Sequence, residues 1–210
     1  AVPILVGMAA GLGQAPFDLP LVSLLAFATA FAIVSFSETP KEAARLGWFF
    51  GLGYFVLTLQ WLVSPFLVEP EIYGWMAPFA VFFMAAGLAL FWAVAFGVAR
   101  RFGAGALVLT LPVAELARAY VFTGFPWGMP SYGLVNAWFG QLASFIGPHG
   151  LNVLFLGTGF ALFFLATSRA RAVTAPIALV GMAALWPIAD APEVENPIGS
   201  IRLVQPNAPQ

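Results

Sequence analysis

The feature that most restricts the fold of this chain is a long apolar stretch, residues 73–99, that contains no charged side chain. A helix that crosses a membrane needs about 20 consecutive apolar residues, and this stretch is longer than that. Only 8% of the 210 residues are charged, whereas charged residues make up about 25% of a typical soluble domain. These few charges could not cover the surface of a water-soluble protein. The sequence therefore predicts a membrane protein that crosses the bilayer several times with α-helices, an all-α polytopic fold.

Further apolar stretches on both sides of this one predict a multi-pass bundle. Residues 134–146 are apolar but too short to cross, and we interpret them as a half-helix that lies in or dips into the membrane. The transmembrane domain is predicted to cover residues 1–189, and residues 190–210 are predicted to be a periplasmic linker followed by a short strand at 201–204. About seven transmembrane helices are predicted, at residues 1–15, 21–36, 46–63, 73–99, 104–122, 151–168 and 173–189.

Basic residues occur in every second connection between the predicted helices. Cytoplasmic connections are enriched in Lys and Arg, so the connections 37–46, 100–103 and 169–172 are predicted to face the cytoplasm, together with the N-terminus. The connections 14–20, 64–72 and 122–150 and the C-terminal tail are then outside, which in a double-membrane bacterium places the protein in the inner membrane with its tail in the periplasm. Of the eight basic residues, those in the alternate connections are Lys41, Arg45, Arg100, Arg101, Arg169 and Arg171.

Two opposite charges lie inside a predicted transmembrane helix. Glu115 and Arg118 are three residues apart, so they share a helix face and are predicted to pair. A charge within the membrane is costly and is usually retained for a purpose. One interpretation is a structural ion pair that joins one helix to another, and the other is a site that holds a polar lipid headgroup. The sequence leaves both open.

An aromatic segment broken by Pro and Gly follows the charge pair and contains Phe125, Trp127 and Tyr132. Its composition makes a helix there unlikely, and irregular backbone at membrane depth requires protein or water around it. The aromatic residues could form an ordinary interfacial belt, but we favour a wall of a cavity that admits lipids. Trp61, which is also compatible with simple interface anchoring, and Phe17, in a second broken turn, complete the hypothetical lipid-binding set.

Several kinds of chemistry are excluded by the residues that the sequence lacks. The absence of Cys excludes disulfides, zinc–thiolate sites and a cysteine nucleophile within these residues, and a single His excludes a multi-His metal site. Neither a Gly-rich phosphate loop nor a serine nucleophile elbow is present. The net charge of −1 favours no nucleic-acid partner. We therefore predict no cofactor and no metal.

Four stretches together resemble the bacterial apolipoprotein N-acyltransferase family. The segment 123–127 (Thr-Gly-Phe-Pro-Trp) and the final Val-Gln-x-Asn-x-x-Gln pattern are the most specific, and the resemblance covers essentially the whole chain. The matching stretches are Gly-Leu-Gly-Gln-Ala-Pro-Phe-Asp at 11–18, Gly51-x-Gly53-Tyr54-Phe55 with Trp61, Glu115-x-x-Arg118 followed by 123–127, and Ile-Arg-Leu-Val-Gln-Pro-Asn-Ala-Pro-Gln at 201–210.

The resemblance implies an enzyme that moves an acyl chain from a phospholipid to the α-amino group of the N-terminal diacylglyceryl-cysteine of an apolipoprotein. It also implies a cysteine thioester intermediate, formed with a Glu base and a Lys in a periplasmic nitrilase-like α-β-β-α domain. This sequence departs from that pattern because it has no Cys, Lys41 is on the predicted cytoplasmic side, and Glu115 is inside a helix. We therefore expect residues 1–210 to contain no catalytic residue, to end at the first strand of that domain, and to anchor it and admit lipids.

Two other functions remain compatible with the residues. The intramembrane charge pair and the broken segments could belong to a small transporter or channel, although no convincing internal repeat accompanies them. The chain could also be a purely structural anchor in which no membrane residue touches a lipid substrate.

Overall fold

The computed structural model describes residues 1–167 and 171–187, and the regular elements in these ranges are helices rather than β-strands. The α-helices are α1 (Val2–Gly11), α2 (Pro20–Phe36), α3 (Pro40–Thr58), α4 (Pro70–Tyr73), α5 (Ala77–Phe102), α6 (Leu107–Tyr120), α7 (Trp138–Gln141), α8 (Ala143–Thr167) and α9 (Arg171–Ala183). Short 3-10 helices lie between them at Gln60–Leu67, Gly74–Met76, Ala104–Ala106, Val121–Thr123 and Pro130–Leu134.

Three helical segments of the described ranges are long and apolar enough to cross a membrane, namely Pro70–Phe102, Ala104–Thr123 and Ala143–Thr167. Helix α3 and the 3-10 helix Gln60–Leu67 meet at an angle of 46° and would together make a fourth. Helices α1 and α2 are apolar but shorter. The all-helical fold and its membrane character are confirmed, whereas the number of seven transmembrane helices stays a prediction.

The start of α3 is fixed by reciprocal capping. The Thr39 hydroxyl accepts a hydrogen bond from the Glu42 backbone N–H at 3.1 Å, and the Glu42 carboxylate accepts one from the Glu38 N–H at 2.7 Å. Pro40 follows the cap at the first helical position, where its missing N–H has no intrahelical partner to lose. The helix therefore begins within the polar connection 37–46, before the apolar residues that enter the membrane.

Glycines let α1 and α5 pack closely on α3. A Cβ atom at Gly7 of α1 would lie 1.9 Å from the Phe50 carbonyl oxygen, and one at Gly53 of α3 would lie 2.0 Å from the Ile4 carbonyl oxygen. On the other side of α3, a Cβ atom at Gly47 would meet the Phe96 ring. Such close backbone approach is how helices gain packing energy in a bilayer, where no hydrophobic effect drives them together.

A cluster of buried aromatic rings joins four of the helices. The Phe27 ring of α2 lies 5.6 Å from the rings of Phe50 (α3) and Phe155 (α8) and 5.9 Å from Trp92 (α5). All four side chains are at most 1% exposed. Edge-to-face and tilted rings at these distances contribute energy beyond the area they bury, so this cluster stabilises the packing of α2, α3, α5 and α8.

The predicted half-helix at 134–146 is wrong as a single element. Helix α7 (Trp138–Gln141) is one turn long, and the N–H groups of Trp138 and Phe139 at its start donate to the carbonyls of Trp186 and Ala184, at 3.3 and 2.9 Å. The residues from Ala143 onward form the first turn of α8, which bends at Gly147, where φ is +66°. The segment therefore forms backbone hydrogen bonds with the turn that follows α9 and then continues into α8.

The predicted last helix is shorter in the structure. Helix α9 ends at Ala183 and a turn follows through Trp186, instead of helix to residue 189. The predicted linker 190–197 and strand 201–204 lie outside the described residues, and the domain boundary at 189 stays a prediction.

Candidate functional site

A buried ion pair lies in the C-terminal half of α6. The Glu115 and Arg118 side chains are 0% and 1% exposed. The Arg118 Nε donates to Glu115 Oε1 at 3.1 Å, and its Nη2 donates to Oε2. The pairing expected from the three-residue spacing is confirmed, and it is the one salt bridge found within residues 1–167 and 171–187. Two-point contact offsets the cost of holding both charges in apolar surroundings.

The remaining donors of Arg118 hold the aromatic segment that follows α6. Its Nη1 donates to the carbonyl oxygens of Phe125 and Trp127, at 2.5 and 2.7 Å. The Phe125 N–H donates in return to the Arg118 carbonyl at 2.9 Å. Residues 125–127 therefore fold back over the end of α6 and are fastened to the same side chain that neutralises Glu115.

The reversal of the chain depends on left-handed backbone. Phe122, Thr123 and Gly124 have φ values of +53°, +74° and +84°, which are uncommon for bulky residues. A Cβ atom at Gly124 would lie 2.1 Å from the Ala119 carbonyl oxygen, so glycine is required for the chain to turn so tightly. The Thr-Gly-Phe-Pro-Trp motif thus encodes the turn as well as the aromatic groups.

Aromatic side chains from α3 and α5 enclose the ion pair. The Trp92 indole Nε1 donates to Glu115 Oε1 at 2.6 Å. The Arg118 guanidinium carbon lies 5.1 Å from the centre of the Phe55 ring, a cation–π distance. The Tyr54 ring packs on Trp92, with 4.7 Å between centroids. The carboxylate thus accepts from two side chains, and the guanidinium is covered on one face.

Gln14 links the first turn of the chain to this site. Its amide nitrogen donates to the Tyr54 hydroxyl at 2.5 Å and to the Met129 carbonyl at 2.8 Å. The turn at residues 14–17 is thereby joined to α3 and to the segment after Trp127. The aromatic segment is therefore held from two sides, by Arg118 and by Gln14.

Two exposed tryptophans border the site. Trp61 and Trp127 are 47% and 56% exposed, and their rings meet edge to face with 6.2 Å between centroids. Phe125 is only partly buried and packs against the apolar core. Trp127 thus has its carbonyl fixed by Arg118 and its ring at the surface, an arrangement that offers a rigid aromatic face to the surroundings.

Tyr132 and Phe17 complete the sequence-predicted set. Burial raises the pKa of the Tyr132 phenol above its usual value. The charge of Arg118 lowers this pKa and that of Glu115 raises it, so Tyr132 lies within electrostatic range of the pair. Phe17 is exposed and lies on the same turn as Gln14. The Phe17 N–H donates to the Gln14 carbonyl at 3.0 Å. Among the described residues, no ring contact joins Phe17 to the other members of the set.

Four residues of the site were absent from the predicted lipid-binding set: Gln14, Tyr54, Phe55 and Trp92. A signal existed for Trp92, because an indole N–H inside a charge-free stretch needs an acceptor and Glu115 is a carboxylate inside a neighbouring helix. Gln14 gave no comparable signal, since its partners are 40 and 115 residues away in sequence.

The geometry suits fixed support better than acid–base chemistry at Glu115. Its carboxylate is fully buried and accepts hydrogen bonds from Trp92 and Arg118. A general base must reach a substrate proton directly or through one water. Both charges lie on α6 and are held by protein groups, and the Trp127 ring of the aromatic segment is exposed.

Comparison with known proteins identifies the group to which the chain is related. The family model for the apolipoprotein N-acyltransferase N-terminal domain matches residues 6–161, which is more than half of the chain and includes the whole site described above. The chain belongs to the apolipoprotein N-acyltransferase family.

Named apolipoprotein N-acyltransferases are similar over much of the chain. The protein from Caulobacter vibrioides is 37% identical over 166 residues, which cover 72% of this chain and 30% of that protein. The protein from Brucella suis is 33% identical over 228 residues, which cover 97% of this chain and 43% of that protein. The chain thus spans less than half the length of these apolipoprotein N-acyltransferases, and the match does not favour a transporter or channel.

Proposed function

We propose that the chain is the membrane part of a lipoprotein N-acyltransferase of the bacterial inner membrane. The complete enzyme transfers an acyl chain from a phospholipid to the α-amino group of the N-terminal diacylglyceryl-cysteine of an apolipoprotein. The observation that carries this proposal is the family match over residues 6–161. The 210 residues contain no Cys, so a thioester-forming cysteine would belong to a further part of the protein, and residues 1–210 alone are inactive.

The proposed work of this part is to admit lipids and to position them beneath a catalytic domain. The exposed Trp61 and Trp127 rings provide amphipathic surface at the end of α6, together with Phe125, Tyr132 and Phe17. Such rings bind the boundary between acyl chain and headgroup. Each CH₂ of an acyl chain buried on them contributes about 0.8 kcal/mol.

Glu115 and Arg118 have an indirect part in this proposal. They are buried and hydrogen-bonded, so they act on lipid binding by fixing the backbone at Phe125 and Trp127. A lipid-binding ring whose position is fixed in advance loses little conformational freedom on binding. The pair is therefore assigned a positioning role.

The reaction is tested with the complete protein in vesicles that contain a phospholipid with a radioactive acyl chain. We expect label to appear on the protein as a thioester that hydroxylamine releases, and then to pass to an added diacylglyceryl peptide as a stable amide. Residues 1–210 expressed alone should take up no covalent label. A complete protein without a labelled cysteine would contradict the proposal, as would measurable solute flux through residues 1–210 in liposomes.

A further inference from the structure

An apolar groove runs along the outside of the bundle between α5 and α6. The two helices are joined by the short connection 103–106, so they are antiparallel, and the groove between them has a volume of about 460 Å³. Exposed Val94 and Val98 of α5 and Val113 of α6 form its sides, and the small side chains of Ala95, Ala114 and Ala117 deepen it. A second cavity of about 450 Å³ shares Phe91 and Val94 with the first and extends it along α5.

The groove is suited to a hydrocarbon chain. The hydroxyl group of Thr110, which lies on the groove, donates to the Ala95 carbonyl at 3.0 Å, so its proton is not available to a polar ligand. The first cavity follows α5 from Val98 to Phe91, a rise of about 10 Å at 1.5 Å per residue. That length lies within one half of a hydrocarbon core that is about 30 Å thick.

A cationic side chain lies at one end of the groove. Arg101 is three residues after Val98 and seven after Val94, so the helical repeat places it on the same face of α5, one turn beyond the groove. It is exposed, and within the described ranges it forms no salt bridge. By the distribution of basic residues, this end of α5 faces the cytoplasm.

We propose that this groove and Arg101 bind a phospholipid with a negatively charged headgroup from the cytoplasmic leaflet, with an acyl chain between α5 and α6 and the phosphate at Arg101. The charge of Arg101 selects the headgroup, because a basic residue at the membrane surface attracts anionic lipid. The headgroup of this lipid lies at the end of α5 and α6 opposite to Trp127, and the lipid is distinct from the acyl donor of the proposed function.

The test uses the complete protein in detergent, titrated with phosphatidylglycerol or phosphatidylcholine and followed by native mass spectrometry of the lipid-bound species. Arg101→Gln should weaken phosphatidylglycerol binding about fivefold, because each basic residue near the membrane surface contributes about 1 kcal/mol to the attraction of anionic lipid. It should leave phosphatidylcholine binding unchanged. Val113→Trp, at an exposed position in the middle of the groove, should weaken binding of both lipids.

Arg45→Gln is the matched control, since Arg45 is also exposed at the predicted cytoplasmic side but lies on α3. The proposal is overturned if Arg101→Gln binds phosphatidylglycerol like the parent protein, or if Arg45→Gln lowers binding as much. A fivefold effect of Arg101 that persists in Trp127→Ala protein would separate this lipid from one at the proposed substrate site. Loss of the effect in that background would place the lipid at Trp127 and refute the groove.

Discussion

Arg118 donates four hydrogen bonds, two to Glu115 and two to carbonyls of the aromatic segment. Its removal would leave a buried carboxylate without its counter-charge and two carbonyls without donors. Each loss costs free energy by desolvation without compensation. The residue is therefore important for the stability of the bundle and for the position of Trp127.

Replacing Arg118 with Ala is expected to lower the free energy of unfolding by about 3–5 kcal/mol, because one member of a buried ion pair is left alone. Arg118→Lys should be intermediate, since an ammonium cannot contact both carboxylate oxygens and both carbonyls in the same planar geometry. Thermal unfolding of the protein in detergent measures both. Arg45→Ala, at an exposed position, is the control and should change stability by less than about 0.5 kcal/mol. Equal unfolding of the Arg118 and Arg45 variants would contradict the structural role.

Replacing Trp127 with Ala is expected to raise the KM for phospholipid about tenfold or to lower turnover, with little loss of protein. The carbonyl that Arg118 holds remains, and only the half-exposed ring is removed. Acyl transfer by the complete enzyme over a range of phospholipid concentrations measures the change. Trp75→Ala is the matched control, because Trp75 is exposed and its ring contacts Phe79. Unchanged kinetics in the Trp127 variant would support a purely structural anchor.

At this scale the sequence predicts local partners and misses distant ones. The contact of Glu115 with Arg118 follows from helix geometry alone, and the broken segment follows from its Gly and Pro residues. The contacts of Gln14 with Tyr54 and Met129 depend on how three separate segments pack. No local pattern contains that information.

Among the elements, the contact of α1 with α3 is the one most dependent on small residues. Gly53→Ala is expected to force the helices apart, because the added Cβ would lie 2.0 Å from the Ile4 carbonyl oxygen. A stability loss of about 1–3 kcal/mol is the expected scale for such overpacking. Gly157→Ala in α8 is the control, since a Cβ there meets nothing within 4 Å, and it should be neutral or stabilising. Thermal unfolding that ranks the two variants in the opposite order would refute this assignment.

The apolar helices were predictable because a bilayer admits backbone only when its hydrogen bonds are satisfied internally. Residues 134–146 were misassigned because their hydropathy is compatible with a helix, whereas the actual partners of Trp138 and Phe139 are the carbonyls of Trp186 and Ala184. Hydropathy measures how apolar a segment is. It does not identify which distant backbone will supply its hydrogen bonds.

For the whole molecule, the distribution of basic residues predicts the orientation in the membrane. The 210 residues contain no Cys, so single cysteines introduced here can be labelled without background from this part of the protein. In intact spheroplasts, Glu69→Cys should react with a membrane-impermeant maleimide, and Lys41→Cys should react only after permeabilisation. Both side chains are exposed, so a difference between them reports their sides of the membrane. Reaction of Lys41→Cys in intact spheroplasts would refute the predicted orientation.

The hydrogen bonds of Gln14 have a consequence for biogenesis. The chain is synthesised from its N-terminus, so Gln14 leaves the ribosome before Met129, whose carbonyl lies 115 positions later and does not yet exist when α1 and α2 insert. Tyr54 is made earlier, so until Met129 is in place only the N–H of Gln14 that later donates to Met129 needs water or a lipid headgroup as its acceptor. The aromatic segment can reach its final position only after α6 has been inserted into the membrane. The contacts among Gln14, Arg118 and this segment therefore form late in synthesis.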